Sequence, residues 1–371
     1  MNTIALRRLG LLAALVATIG LASVAAPAHA QNGPDAESIL KGLASLPPAE
    51  REKALVEGAK KEGKVVWYTV DAPKTNEILA DTFAKKYPFI EVQFIRAKSR
   101  SIVDRITNET RAGRYIFDLA TTSTETFYMY PVEEVFAQYT SPAKDAIPPS
   151  RKGDRWASAF IFIRTLGYNT NLVKPEEVPK SWEDLLDPKW KGKIMFDESS
   201  LDEVATLYRK WGKEKTTEYL DKLGKSGNLQ IQRGRNTTSQ LLAAGEAPLG
   251  VTIYAYELEQ LKQKQAPVEW ALIDPSPGAL QMMSIGRHAP HPYSAALLYD
   301  FTLGPDGQKM YADMNRLPAN PQVKSKSPRT DEAANDPRFV VETPEGARSS
   351  TADALKLLDD KILKVVLERR Q

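Results

Sequence analysis

Three arginines stand where a folded chain would have to answer their charge. Arg164 follows the apolar run Phe160-Ile161-Phe162-Ile163, Arg100 opens an amphipathic stretch, and Arg235 lies in Arg233-Gly234-Arg235-Asn236-Thr237-Thr238, a loop leading into a helical pattern. A guanidinium next to an apolar core needs an anionic partner, and helix starts add backbone N–H groups that favour anions. That partner is either an internal Asp or Glu or a bound anion, and solvation is a further option for Arg100 and Arg233. Tyr254 and Tyr256 close the run Leu249-Gly250-Val251-Thr252-Ile253, with Glu257 beside them. Strand alternation puts both tyrosines on one face. They either wall a cleft or offer their oxygens to a ligand.

Catalytic chemistry is thin by comparison. The chain has no Cys and three His, namely His29, His288 and His291. Disulfides, thiolate metal sites and Cys nucleophiles are thereby excluded. No Gly-x-Ser-x-Gly elbow, complete Gly-x-x-x-x-Gly-Lys-Ser/Thr phosphate loop or His-Glu-x-x-His helix occurs. With no nucleophile–base pair, the chain reads as a non-enzyme without a cofactor.

These residues need elements to bring them together. Lys64-Val65-Val66-Trp67-Tyr68-Thr69-Val70 is β-branched and aromatic and predicts a buried strand. A helix follows through Ile78, Leu79, Phe83 and Ala84, then an alternating strand over Ile90–Ile95. A second helix, capped by Ser99 or Ser101, carries Ile102, Val103 and Ile106, and Phe117–Thr121 is a third strand. This alternation predicts a parallel, doubly wound sheet. The apolar stretch 155–169 predicts a strand crossing the molecule. A second α/β set has strands at Lys193–Phe196, Leu229–Ile231 and Leu249–Ile253, and helices over Leu201–Trp211, Glu218–Leu223 and Thr238–Ala244. Ser181 caps a short helix. Residues 31–47 read as a loose polar lead and 321–348 as a wrapping loop. Thr351 caps a last helix facing Leu355, Leu358, Ile362 and Val365 to one side. His291 reads as a structural residue before a helix, and His288 as exposed.

Two such lobes joined by crossing strands leave a cleft, and ligands of open α/β sheets sit beyond the carboxyl ends of strands. The candidate ligand-binding residues are therefore Thr69 and Asp71, then Ser99, Arg100 and Ser101, then Thr122 and Ser123. Arg164, Asp197, Ser199, Arg235, Asn236, Tyr254 and Tyr256 complete the set.

The start of the chain predicts a compartment. Arg7 and Arg8 precede an apolar run from Leu9 to Ala26, and Ala28-His29-Ala30 fits a small-x-small cleavage site, so residues 1–30 read as a signal peptide with Gln31 as the new N-terminus. The leader holds two basic and no acidic residues, so the formal charge of +3 becomes +1. A near-neutral surface gives no case for nucleic acid or an anionic membrane. The mature chain is expected to be periplasmic and monomeric, with no membrane insertion.

Several segments resemble the ferric-ion-binding type of periplasmic solute-binding protein from ABC importers. Lys60-Lys61-Glu62-Gly63-Lys64-Val65-Val66-Trp67-Tyr68 is similar to that family's entry into its first strand, and Gly167-Tyr168-Asn169-Thr170-Asn171-Leu172-Val173 to its crossover. Ser181-Trp182-Glu183-Asp184-Leu185-Leu186-Asp187-Pro188-Lys189-Trp190-Lys191-Gly192-Lys193-Ile194 is the most specific piece. Ala289-Pro290-His291-Pro292 with Ala295-Ala296, and Gly304-Pro305-Asp306-Gly307-Gln308, resemble the closing segments.

The resemblance implies a type II-like hinge protein delivering a small-molecule ligand to an ABC importer permease. Its lobes would be residues 31–165 with about 268–320, and 166–267 with about 321–371 and a C-terminal helical tail. In ferric members two adjacent tyrosines follow a Gly-Glu pair. Here the pair is Gly245-Glu246, and the matching positions are Ala255 and Tyr256, with Tyr254 nearby. Many ferric members also carry a His after the first strand, which Tyr68-Thr69-Val70-Asp71 lacks. The resemblance also places an anion-contacting Arg at Arg164 in some ferric members. The expected ligand is a small anion-bearing solute held by Arg164 with Arg100 or Arg235. The alternative is Fe3+ as transported ligand, on Tyr254, Tyr256 and Glu257 with a synergistic anion.

Overall fold

The computed structural model describes residues 35–342 and 344–369, and the leader expected over residues 1–30 lies outside them. The β-branched and aromatic runs form strands, which we number in chain order. They are β1 (Lys64–Thr69), β2 (Glu91–Arg96), β3 (Leu119–Ser123), β4 (Trp156–Asn169), β5 (Ile194–Asp197), β6 (Leu229–Gln232), β7 (Leu249–Tyr254), β8 (Val268–Ala271), β9 (Ser276–Ile285) and β10 (Phe339–Val341). The order along the sheet is β2-β1-β3-β9-β4-β7-β5-β6.

Every residue of β4 is buried, as expected of a strand covered on both faces. Its first half pairs antiparallel with β9, Gly278 opposite Ile163 and Met283 opposite Ala157. From Arg164 onward it pairs antiparallel with β7 and β8, Arg164 opposite Tyr254 and Asn169 opposite Val268. One strand thus carries a half-sheet at each end, and the junction falls between Ile163 and Arg164. The outer trios β2-β1-β3 and β7-β5-β6 are parallel, as the βα alternation predicts. Around β4 the pairing is antiparallel, which corrects the expectation of an all-parallel sheet: the crossing strands run in opposite directions.

Three packed clusters form the core, and one of them joins Tyr68, Phe117 and Ile161 of the first half to Met195, Leu242 and Trp270 of the second. Trp67, Phe83, Phe160, Phe162, Tyr299 and Tyr311 belong to another cluster, and Tyr168, Trp182, Phe196, Tyr219 and Leu220 to the third. Side chains of this kind each contribute about 1.5–3 kcal/mol when fully buried, so a chain without disulfides has ample apolar burial.

Several local expectations are corrected. The lead holds a helix, Ala36–Ala44, with Asp35 accepting from the Ser38 amide. Neither Ser99 nor Ser101 caps the helix Ser99–Arg111, whose N-cap is Lys98 without a side-chain bond. Residues 321–348 contain the helix Pro328–Ala334 and β10. Thr351 lies inside the helix Pro344–Leu357, its hydroxyl donating to the Ala347 carbonyl. That helix runs on through a π-helical turn, Leu358–Leu363, to Glu368. The wider π turn keeps Ala354, Leu358, Ile362 and Val366, four apart, on the buried face. His288 is half-buried, its ring 4.2 Å from that of Tyr115. His291 is structural: Asp118 accepts from its backbone N–H at 2.7 Å and meets its Nδ1 at 2.8 Å.

Candidate functional site

The charged residues gather where β4 passes from one half-sheet to the other. Arg164, the first residue beyond the junction, is buried and pairs with Asp202, and its Nε lies 3.3 Å from Glu203. Arg235 starts the helix Arg235–Ala244 and grips Glu203 with both terminal nitrogens, at 2.7 and 3.2 Å. It also donates to the carbonyls of Ser199 and Thr252. Burial opposes the Arg235 cation, but Glu203, Tyr254 and Asp197 together outweigh it, so its pKa is raised. Both guanidinium groups lie over the Tyr254 ring, 5.5 and 5.3 Å from its centre. Arg164 and Arg235 therefore find their anions in the protein, in the first turn of the helix Leu201–Trp211. The expectation that they are free for a ligand is corrected to that extent. Arg164 Nη1 has no hydrogen-bond partner.

Tyr254 and Tyr256 do stand together, though not through strand alternation. β7 ends at Tyr254, and Tyr256 sits in the first turn of the helix Ala255–Gln263. Their rings stack at 5.5 Å and 24°, and Tyr254 stacks on Phe162 at 4.7 Å and 30°. Before them the pairing of β4 and β7 slips between Thr165 and Leu166. The extra residue is Thr252, at a left-handed φ of 73°, whose carbonyl meets Arg235. Such a bulge re-aims the residues that follow. The Tyr256 hydroxyl donates to Glu257 at 3.2 Å, and Glu257 also accepts from Ser239. Burial pushes the Glu257 carboxyl up to about 7, against the hydrogen bonds from Ser239 and Tyr256 and the charges of Arg316 and Arg235. Burial likewise holds the Tyr256 phenol well above its ordinary value.

The first half-sheet supplies the facing groups. Asp71 is buried after β1, and its Oδ2 accepts from Gln281 Nε2 at 2.8 Å. Burial raises its carboxyl pKa, opposed by Arg316. Thr69 serves the turn itself: its hydroxyl accepts from the Asp71 amide and from Thr121 and donates to Asn76. Thr122 is buried one residue along from Ser123, which faces Gln281 across β3 and β9, and the Thr122 hydroxyl has no partner.

Arg316, which the sequence did not single out, joins the two sides. Only 1% of it is exposed. Its guanidinium lies 4.1 Å from the Phe160 ring centre and 4.0 Å from that of Tyr256, and Nη2 donates to Thr75 at 2.8 Å. Its Nε and Nη1 have no hydrogen-bond partner. The sequence signal was faint, a lone Arg before Leu317-Pro318. Gln281, inside an apolar strand, gave none.

The remaining candidates lie apart from this cluster. Arg100, Ser101, Ser199 and Asn236 are exposed, Ser99 is half-buried, and Ser123 bonds Thr126 at 3.0 Å. Asp197 is buried, but its two oxygens accept from the amides of Ser199 and Gly234, which ties two loops together. Near them Lys98 and Glu198 pair at 3.2 Å from opposite half-sheets.

Two half-sheets hung on one crossing strand, with a buried charged cluster at the crossover, define a two-lobed binding protein of the periplasmic type II class. The chain belongs to the family of bacterial extracellular solute-binding proteins, whose model matches residues 119–338. It is 28% identical over 275 residues to an uncharacterised protein of Haemophilus influenzae, covering 68% of this chain and 76% of that one. Among solved structures it is similar in fold to iron-bound HitA from Pseudomonas aeruginosa, with 20% identity, a TM-score of 0.70 and coverage of 80% of this chain and 98% of the other. AfuA from Actinobacillus pleuropneumoniae, solved with exogenous fructose-6-phosphate, gives 23% identity, a TM-score of 0.67 and coverage of 81% and 99%. At these identities the two structures show the fold.

Proposed function

We propose that this protein is the periplasmic substrate-binding component of an ABC importer and that it captures a small anion-bearing solute where its two half-sheets meet. Arg316 carries the reading: a fully buried cation with two nitrogens, Nε and Nη1, unpartnered and no carboxylate bonded to it. The surroundings act the same way. Arg164 and Arg235 are balanced by Asp202 and Glu203, whereas Arg316 has no ion pair among the described residues. A buried cation without such a partner favours an anion. Arg164 Nη1 supplies a second donor. Arg235 acts as a positioning residue, holding the loop at Ser199 and the carbonyl of Thr252.

The lobes in this proposal meet between Ile163 and Arg164. The pairing of β9 with the first half of β4, and of β7 and β8 with the second, supports that division. Binding of inorganic phosphate and of a small carboxylate such as citrate by calorimetry tests the reading. Arg316→Met is expected to remove the binding, and a folded Arg316→Met protein with full affinity would refute the assignment.

A second reading, ferric ion as transported ligand, rests on the stacked pair Tyr254 and Tyr256 beside Glu257, with Arg316 holding a synergistic anion. It requires Tyr256 to give up a proton that its hydroxyl now donates to Glu257. Tyr256→Phe separates the readings. It should abolish ferric binding and its colour, but cost anion binding only about 0.5–1.5 kcal/mol.

A further inference from the structure

The polar atoms at the crossover are not all donors. Gln281 Nε2 donates to Asp71 Oδ2, which leaves Gln281 Oε1 as an acceptor. Neither that oxygen nor Asp71 Oδ1 receives a hydrogen bond, and both side chains are buried, Gln281 at 0% and Asp71 at 3% exposure. They adjoin Arg316 through Thr75, which stands four residues after Asp71 and takes the Arg316 Nη2 bond. A carboxylate would satisfy Arg316 and bring only more acceptors to Asp71 and Gln281, and the dianion of inorganic phosphate brings a single hydroxyl for two acceptors. Buried acceptors left without donors are costly, so a ligand matched to the whole cluster also carries donors.

Resting on the anion reading above, we infer that the solute is a hydroxylated anion, a sugar phosphate or polyhydroxy acid, with its charged group on Arg316 and its hydroxyls donating to Asp71 and Gln281.

Matched pairs test this on the mature protein by calorimetry. Glucose 6-phosphate against hexyl phosphate and gluconate against hexanoate differ mainly in hydroxyls, and inorganic phosphate serves as the bare anion. In at least one pair the hydroxylated member should bind about tenfold tighter or more, and the pair that shows it identifies the charged group. Asp71→Asn and Gln281→Leu should each move that ratio toward one, a change that a merely structural role would not produce. Circular dichroism checks folding, and Gln281→Leu carries the ratio test if Asp71→Asn does not fold. Equal affinities within both pairs, or a ratio kept in both variants, would overturn the inference while leaving the anion reading standing. Failure of every probe, phosphate included, would sink both.

Discussion

Arg316 shows how a buried cation is made tolerable without a carboxylate bonded to it. Phe160 and Tyr256 lie against its guanidinium, and desolvated cation–π contacts contribute up to about 2 kcal/mol. Arg164 is the opposite case, with Asp202 and Glu203 beside it. Arg164→Met leaves buried Asp202 without its partner, while Glu203 keeps Arg235, and should lower stability by about 3–5 kcal/mol in urea unfolding. Glu257 links the site to pH. Its carboxyl is raised from 4.5 to about 7 in the folded chain. Between those values the folded protein holds a proton that the unfolded chain releases, so stability falls as pH rises through this window, by about 3 kcal/mol in all. Unfolding curves from pH 5 to 8 should show that slope, and Glu257→Gln should flatten it. Tyr254, Tyr256, Arg164 and Arg235 were legible in the sequence because each adjoins an apolar run or a loop–helix junction. Arg316 and Gln281 were not. Gln281 meets Asp71 from 210 residues away, and no local pattern encodes that meeting.

At the scale of elements, the strand and helix periods read from the sequence match β1 to β7 closely, and the long apolar run proved to be the crossing strand. The antiparallel pairing around β4 was not legible, because strand direction follows from connections between distant segments. The C-terminal helix was misread at its start, since Thr351 resembles a cap while Pro344 sits at the true first turn. This helix is bound to the second half-sheet through its π turn. Gly224, in the helix Lys213–Lys225, lies where a Cβ would strike the Lys361 carbonyl. Gly224→Ala should therefore cost about 1–3 kcal/mol through overpacking, read as a lowered thermal midpoint. Asp221 pairs with Lys361 at 3.3 Å and with Lys225 at 2.6 Å near the surface, and its change to Asn should leave the thermal midpoint almost unmoved.

At the scale of the whole molecule, β4 runs through both halves and gives them a shared axis, and the cluster at Ile163 and Arg164 receives groups from both. A solute held there should draw the halves together and stabilise the fold, by about 2.7 kcal/mol at one hundred times its dissociation constant. Solution scattering should show compaction on saturation, and an unchanged radius of gyration would count against hinge closure. The mature protein should begin at Gln31 and be recovered from the periplasm, as N-terminal sequencing of that fraction would establish. The most direct measurement is native mass spectrometry of the gently purified protein and its Arg316→Met variant. The expected result is an organic anion retained by the wild-type protein and absent from the variant. A neutral solute, or a ferric adduct whose colour is lost in Tyr256→Phe, would contradict it.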